Sequence, residues 1–142
     1  MKPTHQFIDH TADILFQAKA DTLPELFEQC GLAVEESQVQ LDKVKPKKKV
    51  TFEKENKSLE MLLFDFLDEL LFYKDSEQLI FSQFDISIND QDGSFNMKCA
   101  AAGEKIDVKK HQPKVDVKAI TMHLFEVKKT KGGWKAQVLI DI

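Results

Sequence analysis

Apolar and polar positions alternate through Ile14, Phe16, Ala18 and Ala20, a period of two that predicts a strand with one face against a core. The period then changes. Leu23, Leu26, Phe27, Cys30, Ala33 and Val34 recur at three and four, which predicts a one-sided helix from an N-cap at Thr22 to about Ser37, with Pro24 early in it and Glu25 three residues after the cap. Val50 and Phe52 alternate with Thr51 and Glu53 as a strand within 49–55. A second, central helix starts near Ser58 and carries Leu59, Leu62, Leu63, Phe66, Leu67, Leu70 and Leu71 on one stripe. Two hairpins follow. Phe84, Ile86 and Ile88 lead through Asn89–Gly93 to Phe95, Met97, Cys99 and Ala101; Val115, Val117, Ala119, Thr121, His123, Phe125 and Val127 lead through Lys131-Gly132-Gly133 to Trp134, Ala136, Val138 and Ile140. The order predicts an α+β fold of two layers, a mainly antiparallel sheet with two amphipathic helices on one face. At 142 residues the chain fits a single domain, 1–142.

Composition narrows the class. Apolar residues at 42% and eleven Phe supply enough core volume to exclude a disordered or fibrous chain. The first residues lack a signal-type apolar run, and the longest apolar segment, Leu59 to Tyr73, is broken by Asp65, Asp68 and Glu69, so the expectation is a cytoplasmic protein with no membrane partner. Cys30 and Cys99 fit small buried residues in a reducing compartment, and no zinc spacing exists. The formal charge is −4 and all twenty basic residues are Lys. Arg supplies bidentate phosphate clamps and guanine contacts, so a chain without it is ill equipped to read nucleic-acid sequence, and RNA is expected only at one remove. The run Lys45–Lys49 reads as a solvated connector.

Two short acidic elements remain unexplained by packing. Asp9-His10-Thr11-Ala12-Asp13 enters the first predicted strand, and Asp141-Ile142 closes the last. Because chain ends in a compact domain often lie together, Asp13 and Asp141 could meet on one hard cation with an oxygen of Ile142 as a third ligand. On spacing alone the plainer reading prevails, that such Asp residues serve turns and solubility. Asp90, Asp92 and Gly93 imitate a calcium loop, but Ile88 and Cys99 occupy its first and twelfth positions, which excludes it. The carboxylates of the second helix read as its solvent face.

The segments "DHTAD" (Asp9 to Asp13), "GE" (Gly103-Glu104), His111, "VKAITMH" (Val117 to His123) and the closing "DI" resemble the archease family in order and distance. The departures, Ile120 where Val is frequent and Ile140 where Phe is common, touch no polar position. The resemblance implies nested strand-helix-strand-strand modules and a non-enzymatic accessory protein that activates a GTP-dependent RNA ligase of tRNA splicing and RNA repair, promoting its guanylylation and turnover. It further implies a divalent cation, Ca²⁺ first with Mg²⁺ or Mn²⁺ as alternatives, held by Asp13, Asp141 and a main-chain oxygen of Ile142, with Lys118 tied to activation. Carboxylate and carbonyl donors suit such hard ions. His10 is left with three readings: orienting Asp13, which is favoured, meeting the partner, or closing the turn. His111 and His123 read as hydrogen-bonded loop or sheet residues. Two rival functions stand beside this one: a chaperone-like modulator of an RNA methyltransferase, and a metal-dependent hydrolase, which lacks a convincing nucleophile or base.

Overall fold

The computed structural model describes residues 2–9 and 12–142. Among these, the strands are β1 (Thr4–Ile8), β2 (Ile14–Ala20), β3 (Lys48–Asn56), β4 (Leu79–Gln91), β5 (Ser94–Lys105), β6 (Ala119–Thr130) and β7 (Gly133–Asp141). The helices are α1 (Leu23–Gln38), α2 (Leu59–Glu77) and the four-residue α3 (Val108–His111), with a 3-10 turn at Leu41–Lys43. Every strand pair is antiparallel. The strands form two sheets, ordered β1-β2-β7-β6 and β3-β5-β4. In each sheet the strand that precedes a long helix pairs with the last strand of its own hairpin, so β3-α2-β4-β5 repeats the layout of β2-α1-β6-β7 and is inserted into it.

Local chemistry fixes the helix ends. The Thr22 hydroxyl accepts the Glu25 N–H and donates to the Glu25 carboxylate, and Ser58 Oγ accepts the Met61 N–H, so each N-terminus has an orphan donor satisfied. α2 runs past its apolar stripe to Glu77 and ends where Gln78 turns left-handed at φ 56°. Both helices pack on strands of both sheets. Their stripes meet in an aromatic centre, where Phe66 lies 5.9 Å from Phe27, 6.2 Å from Phe52 and 5.7 Å from Phe84, ring centre to ring centre. Both cysteines are buried and free.

The two-layer antiparallel α+β expectation holds, but the layer is divided into two sheets, and β1 carries too little apolar pattern to have been read. The first hairpin is longer than its sequence pattern, with Gln91 paired to Ser94 across Asp92-Gly93, both at positive φ. The second departs more. Residues 115–118 are not strand, and regular pairing stops between Thr121 and Glu126 because four residues, Met122 to Phe125, stand opposite the single residue Val138 between Leu139 and Gln137. Leu124 takes φ 61° there. The irregularity turns Phe125 into the core against Phe64 and leaves Met122, His123 and Leu124 exposed.

Candidate functional site

One end of the four-stranded sheet gathers the residues singled out in the sequence. Ile14 pairs with Ile140, so the next residues outward on those chains are Asp13 and Asp141, side by side at the mouth of the β2–β7 pair. Ala119 pairs with Asp141 from the other flank, and the Lys118 N–H donates to the Asp141 carbonyl at 2.8 Å. Alternation along β7 sends Trp134, Ala136, Val138 and Ile140 toward the helices and Asp141 to the opposite face. Asp13 and Asp141 are half-buried, Lys118 is exposed, and Ile142 packs against the core. Ala12, immediately before Asp13, is held at φ 68°, a left-handed conformation unfavourable for alanine. His10 and Thr11 lie outside the described residues, and with them the role expected for His10.

Asp9 and Asp13 also line a groove of about 510 Å³ with Phe7, Ile8, Glu36 and Lys114. Among the described residues no three His, Cys, Asp or Glu side chains cluster closely enough to hold a metal by themselves. Asp13 and Asp141 with a main-chain oxygen of Ile142 would make an all-oxygen donor set, the kind suited to Ca²⁺, Mg²⁺ or Mn²⁺.

Buried polar groups that the sequence pattern did not reveal hold the segment that delivers Lys118. Lys74, near the end of α2, sends its ammonium to the Val117 carbonyl at 2.6 Å and to Asp116 at 2.8 Å. That hydrogen bond and the ammonium charge hold the Asp116 carboxyl below its ordinary range. Upstream, the Lys114 N–H donates to the Gln38 carbonyl and the Gln40 N–H to the His111 carbonyl, which lashes residues 111–117 across the end of α1. On its apolar stripe Lys74 reads as a lapse in the pattern; its function as an anchor needs the fold to be seen.

The "GE" and His111 motifs form the second anchor. Gly103 lies where β5 passes the bulge of β4, and a Cβ there would overlap the Ile80 carbonyl, so only glycine fits. Glu104 accepts from Lys110 Nζ at 2.7 Å, from the Lys45 N–H at 2.7 Å and from His111 Nε2 at 3.0 Å. The Asp107 N–H donates to His111 Nδ1 at 2.9 Å, which leaves the ring proton on Nε2 for Glu104. Burial opposes ionisation of Glu104, but the Lys110, Lys45 and His111 hydrogen bonds outweigh it and hold the carboxyl down at about 2. His111 is fully buried and His123 exposed; His111 is hydrogen-bonded as expected, but it ends the short helix α3 rather than lying in a loop or sheet.

A family model described as the archease protein family (MTH1598/TM1083) matches residues 5–142. The chain is 42% identical over 135 residues to Protein archease of Pyrococcus furiosus, covering 94% of this chain and 95% of that one. To Protein archease of Methanosarcina mazei it is 35% identical over 139 residues, covering 97% and 95%. The solution structure of Methanobacterium thermoautotrophicum protein 1598 superposes with a TM-score of 0.87 at 35% identity, over 97% of this chain and 98% of that one. A crystal structure from Thermotoga maritima described as an archease, possible chaperone, shares the fold at a TM-score of 0.63 and 18% identity, over 95% and 94% of the two chains.

Proposed function

The chain belongs to the archease family, and on that ground we propose that it is an accessory protein of a GTP-dependent RNA ligase, raising the ligase's guanylylation and turnover while the ligase performs the chemistry. The observation that carries the reading is the meeting of Asp13, Asp141 and the Lys118 backbone at one sheet end. A divalent cation held there by Asp13, Asp141 and the Ile142 main-chain oxygen would supply a fixed positive charge beside two carboxylates. The protein's own contribution is positional: Lys74 and the 111–117 segment hold Lys118 at the rim, with its side chain exposed for a partner. The partner is the ligase, and RNA sealing is the process served.

The test is a guanylylation and multiple-turnover ligation assay of the ligase with and without this protein. Stimulation by the native chain, lost in Lys118→Ala while its melting curve is unchanged, supports the reading. An unstimulated ligase sinks it, and a parallel assay on an RNA methyltransferase then separates the chaperone-like alternative, a role in keeping with the description of the Thermotoga maritima relative as a possible chaperone.

A further inference from the structure

The solvated connector Lys45–Lys49 does not stand alone. The Lys47 N–H donates to the Gly103 carbonyl, Lys48 pairs with Gly103 in the β3–β5 register, and the Lys45 N–H reaches Glu104. These contacts lay the connector beside residues 103–114, and a groove of about 730 Å³ opens between them, lined by Lys47, Lys48, Lys105 and Lys110 with Glu104 and Asp107. Residues 41–49 and 103–110 together carry eight Lys against three carboxylates, which leaves twelve Lys against twenty-one carboxylates for the rest of the chain. A protein acidic overall therefore has one strongly basic face.

The carboxylates that line or flank the groove are already engaged. Glu104 is bound by Lys110, the Lys45 N–H and His111, Asp107 caps α3 through the Lys109 and Lys110 N–H groups, and Glu77 meets Lys48 at 3.3 Å. Of the lysines that line the groove, Lys47 and Lys110 share Glu104, at 3.7 and 2.7 Å, and Lys48 meets Glu77, while Lys105 has no carboxylate partner among the described residues; nor do Lys43, Lys45, Lys49 and Lys109 on the two segments that flank it. We infer that this groove binds the phosphodiester backbone of single-stranded RNA, without reading its bases. The groove lining offers Ile106 as its one apolar side chain, whereas a protein partner of comparable affinity needs a buried apolar centre. A polyphosphate needs only positive charge, because release of its counterions drives binding. Lysine, a mobile point charge, suits backbone contact of this kind, and the lack of Arg removes base reading rather than phosphate binding. The choice of RNA as the polyanion rests on the ligase reading above.

Fluorescence anisotropy of a labelled fifteen-nucleotide oligouridylate, titrated with the full chain at several KCl concentrations, tests the inference. The expected result is saturable binding with a Kd of order 10⁻⁵ M at low salt and a log–log salt slope of roughly −3, from four lysines each neutralising one phosphate. Lys47→Glu, Lys48→Glu and Lys105→Glu combined should weaken binding at least tenfold and flatten the slope. A charge-matched variant at Lys2, Lys128 and Lys131, away from the groove, should keep at least half of the affinity. No binding by the native chain, or equal loss in both variants, overturns the inference, as does equally tight binding of labelled poly-glutamate, which would assign the groove to an acidic protein surface. The ligase assay reads the other proposal separately. RNA binding with no ligase stimulation sinks that one alone, and stimulation without RNA binding sinks this one alone.

Discussion

The carboxylate of Glu35 on α1 accepts the backbone N–H of Phe81 at 2.8 Å inside the core, where the pairing of β4 with β5 slips between Phe81 and Gln83. Glu35 has no solvent exposure, and burial pushes its carboxyl from 4.5 up to about 8 against the pull of the Phe81 N–H, Lys74 and Gln38. Below pH 4.5 folded and unfolded chains both hold the proton; between 4.5 and about 8 only the folded chain does. Stability therefore falls as pH rises through that window, with a limiting slope of about 1.4 kcal/mol per pH unit. Glu104 acts in the opposite sense, its contribution being present above 4.5 and lost as pH falls toward about 2. Urea midpoints from pH 3 to 9 should trace both limbs. Glu35→Gln, which keeps an acceptor for Phe81, should flatten the alkaline limb alone, and an unchanged slope in that variant would contradict the assignment.

Asp13→Ala and Asp141→Ala should each abolish Ca²⁺ and Mn²⁺ binding by calorimetric titration while shifting the melting temperature little. Both residues lie at strand ends and are only half-buried, so neither leaves a core cavity. Undiminished heat of binding in either variant rules out the shared site.

Phe66→Ala gives the contrasting result. Its ring is fully buried among Phe27, Phe52 and Phe84, and truncation should destabilise the fold by about 3–5 kcal/mol through lost burial and the cavity left behind. Thermal melts beside those of the Asp variants separate a packing residue from a site residue.

Gly103→Ala should destabilise by about 1–3 kcal/mol or more, since the added methyl must displace the Ile80 backbone rather than a side chain. The neighbouring glycine at position 93, at φ 75° in an open turn, is the useful comparison. There the penalty of alanine is conformational strain alone, about 1 kcal/mol. Denaturant midpoints for the two variants should rank in that order.

Period and caps were sufficient for α1, α2, the first hairpin and the returning strand of the second, because each buries one face and the face writes its repeat into the sequence. Leu59 to Leu71 is the clearest case. The same logic explains what escaped. β1 is an edge strand with only His5 and Phe7 turned to the helix side, where His5 bonds Gln29 and Glu36 on α1, and two residues make no pattern. The break at Met122–Phe125 keeps the alternation of apolar letters while the backbone abandons it. At the candidate site, Asp13 and Asp141 were visible as residues without a packing purpose, whereas Lys118 was singled out by the family resemblance alone. Lys74, Glu35 and Glu104 were not, because a charged letter on a buried face is legible only once its partners, supplied by distant strands, are known.

The nesting of one module inside the other sets an order of events for the growing chain. Within the inner module the partners Gln91 and Ser94 are neighbours, and even Lys48 and Gly103 are joined through strands that pair locally, whereas Ile14 must wait for Ile140. Loop closure over so long a span is slow, and contacts of high sequence separation come late in folding. Translation adds to the delay, since β7 follows every other strand from the ribosome. Until then β2 has only β1 as a neighbour, with its other edge unpaired. The sheet end that unites Asp13 with Asp141 thus comes into being only when synthesis has reached β7, so a truncated or stalled product without β7 would lack the site altogether.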